Sequence, residues 1–259
     1  MAENVLEMLK FAEETAREAG EILLSFHKIH ARSYKGKGLQ KELVTEADIA
    51  SDSLIRERIK GEFPEHAIIS EEDADYETGS EYKWVVDPLD GTYPFSYHHT
   101  NHWGVCIALC KNLVPLAGVV FAPERDELYE ASIESASLCN GEHIHTSDIT
   151  ELKGTFIGFD TAIKTDSDVR LARNVWQHVW FTHAAGCASI PMCMAASGVI
   201  PGGYIATMLK PWDMAAAVII NQRAGNVVTN RNGQPWKLGD QSMVAANPVL
   251  HPQLLALFS

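Results

Sequence analysis

The chain has 259 residues, room for one large domain or two small ones; 46% are hydrophobic and 21% charged, a balance that excludes a disordered chain. A formal net charge of −13 with no Lys/Arg run argues against a nucleic-acid polymer as partner. Five cysteines, an odd number with no C-x-x-C pair, argue against a disulfide framework and for reduced thiols in a cytoplasmic setting. No apolar stretch approaches the ~18 residues of a membrane span, and residues 1–10 carry Glu3 and Glu7 where a secretory leader would be apolar.

Residues 4–29 place Val5, Leu6, Leu9, Ala12, Ala16, Ala19, Leu23 and Phe26 at steps mostly of three and four, which predicts an amphipathic helix. Residues 31–41 hold two glycines and four basic side chains, Arg32, Lys35, Lys37 and Lys41. They read as a loop whose lysines could attract a phosphate. Thr45 and Asp48 form a capping box that opens a second helix, with Ile49, Ile55 and Ile59 on its apolar face and Gly61 and Pro64 at its exit. Residues 67–70 form a short strand that ends at Glu71.

The segment 84–92 (Trp-Val-Val-Asp-Pro-Leu-Asp-Gly-Thr) opens as a buried strand and then delivers Asp87 and Asp90. Pro88 fixes φ and removes a donor, so the chain is expected to turn there with both carboxylates at the strand end. The N–H groups of Gly91 and Thr92 at a turn or helix start favour an anion. Carboxylates beside such groups suggest a site for hard cations and a phosphate.

Strand-like runs at 103–109, 114–121, 128–133 and near 138, with a hairpin signal at Asn140-Gly141, predict an antiparallel meander. A polar stretch at 146–153 marks a boundary, giving an N-terminal α+β subdomain (1–147) and a C-terminal α/β subdomain (148–259). The second half reads as a strand at 155–159, helices at 168–180, 186–197 and 210–224, strands at 226–229 and 243–246, and a last helix at 252–258. Gly225 is placed to end the helix that Pro211 begins.

Five acids, Asp48, Glu71, Asp87, Asp90 and Asp213, stand at the ends of predicted elements. Clustered, they would repel one another, and without metal some would have raised pKa values. Hard oxygen donors suit Mg²⁺, and two or more such ions can clamp a phosphate and lower the pKa of a water.

The blocks Leu43-Val44-Thr45-Glu46-Ala47-Asp48, Ile69-Ser70-Glu71-Glu72, the 84–92 segment with Phe95, and Pro211-Trp212-Asp213-Met214-Ala215-Ala216 together resemble the inositol monophosphatase family of Mg²⁺-dependent, often lithium-sensitive phosphatases. The resemblance spans nearly the whole chain. It implies a layered αβαβα fold of the sugar-phosphatase type, with the site between two subdomains, and a homodimer. It implies that Glu71, Asp87 and the Leu89 carbonyl hold one ion; Asp87, Asp90 and Asp213 a second; and Glu71 with waters a third. Asp48 and Thr92 would polarise the attacking water. Gly91 and Thr92 N–H groups would bind the phosphate of a small phosphorylated metabolite. Gly186, Cys187 and Ala188 would meet its alcohol part.

Three departures stand out. Many inositol enzymes carry a Glu about seven residues before the aspartate of the Trp-Asp motif, and residues 204–209 here contain no acid. Pro94 stands where Asn is frequent. Residues 97–102 carry three histidines (His98, His99 and His102); a zinc site would need more widely spaced ligands, so a polar loop near the site mouth is expected. Family substrates include inositol phosphates, fructose 1,6-bisphosphate, 3′-phosphoadenosine nucleotides, NADP and histidinol phosphate. A non-catalytic metal-binding scaffold or regulator of the same fold is the alternative. Such a relative is expected to lose a ligand or the water-activating pair, and this sequence keeps all of them.

Overall fold

Two sheets organise the chain, and side-chain alternation along their strands decides what each face meets. The computed structural model describes residues 4–27, 34–35, 42–43 and 45–259. Lys37 and Lys41 of the basic loop lie outside the described residues. In chain order the elements are α1 (Val5–His27), β1 (Tyr34–Lys35), β2 (Glu42–Leu43), α2 (Glu46–Glu62), β3 (Ala67–Ser70), β4 (Tyr82–Asp90), α3 (Thr92–Tyr97), β5 (Gly104–Lys111), β6 (Val114–Ala122), β7 (Glu127–Ser132), β8 (Leu138–Cys139) and β9 (Glu142–His143). The second half adds β10 (Phe156–Asp160), α4 (Asp166–His178), β11 (Phe181–His183), α5 (Ser189–Ala196), β12 (Tyr204–Thr207), α6 (Pro211–Arg223), β13 (Val227–Thr229), β14 (Ser242–Ala246) and α7 (His251–Ala256).

Strands β3 to β9 form one sheet in sequence order, parallel only between β3 and β4. In β4, β5 and β6, Trp84, Val86, Val105, Ile107, Leu109, Val119 and Phe121 bury one face under α1 and α2. Val85, Cys106, Ala108, Cys110 and Val120 point the other way, toward α5 and α6. The second sheet runs β11-β10-β12-β14-β13, with β10 parallel to both neighbours. Tyr204, Ala206, Met243 and Ala245 face α5 and α6, whereas Ile157, Ile205 and Val244 face α4 and α7. The layers are therefore α1/α2, sheet, α5/α6, sheet, α4/α7, the αβαβα order the resemblance implies. Period-two burial produces it directly. Each fully buried Leu, Ile or Trp on these faces contributes about 1.5–3 kcal/mol.

Small residues set how closely α6 approaches the first sheet. A Cβ at Gly118 of β6 would lie 2.7 Å from both Cα and the carbonyl oxygen of Ala216. The same seating brings Asp213, in the first turn of α6, toward β4.

The boundaries differ from expectation where local chemistry overrides it. β4 does not turn at Pro88 but continues through Asp90. A register shift between Asp87 and Asp90 absorbs the missing proline donor. The Ser51 hydroxyl on α2 donates to the Pro88 carbonyl at 2.8 Å and fixes this irregular stretch. α4 starts at Asp166 because Thr165 and Asp168 complete a capping box there. α5 starts at Ser189, leaving 186–188 as a turn with Gly186 at φ +74°. Among the described residues, no helix is long and apolar enough to cross a membrane.

Candidate active site

Glu71, Asp87 and Asp213 each place one carboxylate oxygen within 4.8 Å of the others. Three separate elements deliver them. The parallel register sets Ser70 beside Val86, so the next residues along, Glu71 and Asp87, emerge side by side at one rim. Asp213 arrives on α6, its Oδ2 accepting from the Lys210 backbone N–H at 2.7 Å. Asp87 accepts from the Leu89 N–H at 3.0 Å, a bond that curls the chain around the carboxylate.

Gathering these charges is electrostatically costly. Loss of water raises the Glu71 carboxyl to about 8, with Asp213, Glu72, Asp90 and Asp48 adding repulsion. Burial raises Asp213 to about 7, with Asp90 next. Burial, then Glu71, Asp90 and Asp213, hold Asp87 well above the usual carboxylate range. Such a cluster is relieved by a counter-charge, and an all-oxygen donor set fits a hard divalent cation.

Asp90 stands outside that circle. Its Oδ2 accepts from Ser189 N–H at 2.6 Å, Ala188 N–H at 3.0 Å and the Cys187 thiol at 3.0 Å. The start of α5 therefore supplies positive dipole to a buried carboxylate from the other sheet. Cys187 and Ala188, expected at the substrate's alcohol, are tied to Asp90 here. Gly186 leads into them beside Pro94.

Asp48 divides its two oxygens between two tasks. Oδ2 closes the capping box, accepting from Thr45 N–H at 2.8 Å and Thr45 Oγ1 at 2.5 Å. Oδ1 lies 3.4 Å from the Thr92 hydroxyl, which also sits 3.3 Å from the Leu89 carbonyl. Burial raises Asp48 to about 6. Gly91 precedes Thr92 as the N-cap of α3 at φ +89°. A Cβ there would lie 2.7 Å from the His102 carbonyl, and no side chain caps the helix start.

The family model of the inositol monophosphatase family matches residues 4–259. This chain belongs to the inositol monophosphatase family. It is 32% identical to a fructose-1,6-bisphosphatase/inositol-1-monophosphatase of Aquifex aeolicus, over 98% of this chain and 96% of that protein. It is equally 32% identical to inositol monophosphatase 1 of Solanum lycopersicum, over 94% and 92%. A putative Nus factor SuhB of Neisseria meningitidis serogroup B is 32% identical over 97% of each chain. Among solved structures, an inositol monophosphatase from Anabaena superposes with a TM-score of 0.87 at 28% identity, covering 98% of this chain and 96% of that one. The chain is accordingly a phosphomonoesterase of the inositol monophosphatase family.

The histidines of this inositol monophosphatase-family chain do not join the acidic cluster; among the described residues it contains carboxylates alone. The His98 ring lies 4.1 Å from that of His27, and the His102 ring 5.5 Å from that of His183. Burial, with Arg125 next, lowers His102 to about 4.

Asp160 is the acid that the sequence reading passed over. It ends β10, its Oδ2 accepts from the Tyr204 hydroxyl, and burial raises it to about 6 with a contribution from Asp90. The signal was available, because it follows a strand as Glu71 does. β12 was also unassigned: Pro201-Gly202-Gly203 marks a turn before it, but its four residues are too short a run to show a strand period, although it lies in the middle of the second sheet.

Proposed function

We propose that this phosphatase is a Mg²⁺-dependent enzyme that hydrolyses a small phosphorylated metabolite by direct attack of water, without a phosphoenzyme. The observation that carries this reading is the convergence of Glu71, Asp87 and Asp213 beside the Asp48–Thr92 pair. Glu71, Asp87, Asp213, Asp90 and the Leu89 carbonyl are the residues to hold two or three ions. Bound there, the ions supply positive charge that offsets the carboxylates and polarises phosphoryl oxygen and water. Asp48 is the proton acceptor for the attacking water. An acceptor with a pKa near 6 takes a proton more readily than an ordinary aspartate. Thr92 fixes the unoccupied oxygen of Asp48 and orients that water. Gly91 and Thr92 N–H groups receive the phosphate, and the Gly186-Cys187-Ala188 turn borders the alcohol part.

The residues 1–147 and 148–259 act as two subdomains in this reading, the first supplying Glu71, Asp87 and Asp90 and the second Asp213 and Ala188. A cytoplasmic, lithium-sensitive homodimer follows from the family resemblance. The relatives named putative Nus factor SuhB support a second reading, a regulatory role through protein contacts on the same fold. The test is phosphate release from inositol 1-phosphate, fructose 1,6-bisphosphate, 3′-phosphoadenosine 5′-phosphate, NADP and histidinol phosphate, with Mg²⁺ and with EDTA. Turnover of one compound that requires Mg²⁺ supports the catalytic reading. Folded protein that turns over none favours the regulatory one.

A further inference from the structure

Asp160 occupies a place in the cleft that no metal role explains. It closes the parallel strand β10 and is the Cα partner of Ala206 on β12, seven residues before Asp213. Ligands of parallel sheets gather at such carboxyl ends. Its orientation is built in: Gly158 leaves the space that the Tyr204 ring fills, and the Tyr204 hydroxyl then donates to Asp160 Oδ2. Oδ1 accepts from no described group and is not among the fully shielded unpartnered atoms, so it keeps some access to the cleft. The charge of Asp160 acts on Asp213, and that of Asp90 acts on Asp160, which places it on the flank of the cluster. It is not part of the Glu71–Asp87–Asp213 group. Beside it, Thr161 and Thr207 hydroxyls sit 2.5 Å apart. This wall is rich in hydrogen-bond acceptors, and no cation is among the groups acting on Asp160.

We propose that Asp160 is a substrate-recognising residue whose free oxygen accepts a hydrogen bond from a hydroxyl on the alcohol part of the phosphomonoester. The inference rests on the phosphatase reading of the neighbouring cluster. It selects a hydroxyl-bearing monophosphate over a bisphosphate, because a second phosphate against this wall would meet like charge. It also selects against an aromatic or alkyl phosphate, which would leave the oxygen without a donor.

The test compares wild type, Asp160→Ala and Asp160→Asn on inositol 1-phosphate and on p-nitrophenyl phosphate, which has no hydroxyl. Loss of a hydrogen bond to a charged acceptor lowers kcat/KM for inositol 1-phosphate by roughly 10–100-fold, carried by KM. Turnover of p-nitrophenyl phosphate and the Mg²⁺ concentration for half-maximal rate stay unchanged. Asp160→Asn keeps an acceptor oxygen and recovers part of the loss, and a matching Tm shows that both variants fold. Equal losses on both compounds, or none on inositol 1-phosphate, would overturn the proposal. Wild type that hydrolyses fructose 1,6-bisphosphate or 3′-phosphoadenosine 5′-phosphate but not inositol 1-phosphate would also overturn it, whereas wild type inactive with Mg²⁺ on every one of these compounds would instead overturn the phosphatase reading beneath it.

Discussion

Replacing Asp213 by Asn separates the electrostatic cost of the site from its use. The side chain keeps its size, and the amide oxygen still accepts from Lys210 N–H, so the first turn of α6 survives. What is lost is one negative charge facing Asp90 and its neighbours. The folded carboxyl lies at about 7 against an ordinary 3.8, so the folded protein holds a proton that the unfolded chain has released. The penalty is thus absent below about pH 4, grows as pH rises and is complete above about pH 7. Three units correspond to about 4 kcal/mol, set first by burial of the charge and next by Asp90; the amide is still partly stripped of water, so about 2 kcal/mol is expected on removing this charge. For a chain of this size that is a Tm increase of roughly 4–8 °C. Thermal unfolding in EDTA at pH 8 should show Asp213→Asn more stable than wild type, with the difference shrinking toward pH 4. In Mg²⁺ the order should reverse: wild type gains Tm, the variant does not, and its turnover is lost. A variant no more stable than wild type in EDTA, or one that Mg²⁺ stabilises equally, would refute the charge-cluster argument.

Three further outcomes follow from other parts of the site. Asp48→Asn should cut kcat by about 10²–10⁴-fold with little change in Tm, because the amide can still serve the Thr45 cap but cannot take a proton; an unaltered kcat would remove Asp48 from the chemistry. Gly91→Ala forces a side chain into the left-handed region and against the His102 carbonyl, so a loss of about 1–3 kcal/mol in denaturant unfolding is expected. Gly118→Ala should cost about 1–3 kcal/mol by overpacking and should weaken Mg²⁺ binding measured by titration calorimetry, because α6 carries Asp213 outward. Unchanged Mg²⁺ affinity would show that the helix seating does not set the cluster.

Much of this was legible in the chain because strand and helix ends carry the chemistry. The apolar alternation of 103–121 showed the meander, and strand-end acids at 71 and 87 foretold a shared rim. The Thr45–Asp48 box was readable too, but only the structure shows that one carboxylate serves both a cap and Thr92. The bulge between Asp87 and Asp90 was hidden, because a proline in a strand reads locally as a turn and only pairing with β5 carries the strand past it. The grip of Ala188 and Ser189 on Asp90 spans 98 and 99 residues, beyond any periodicity. Asp160 stands at a strand end as Glu71 does, but no motif marks it and its orienting partner Tyr204 lies 44 residues away.

The bonds from the start of α5 to Asp90 join groups of the protein itself. A carboxylate of the first sheet is thereby stitched to a helix of the second half while the cluster beside it is still mutually repelling. The two walls of the cleft are held in register by the chain's own groups, so the binding energy of a ligand there need not be spent on drawing the halves together. Asp90→Ala would remove the acceptor for all three of these donors and so loosen the first sheet from the start of α5.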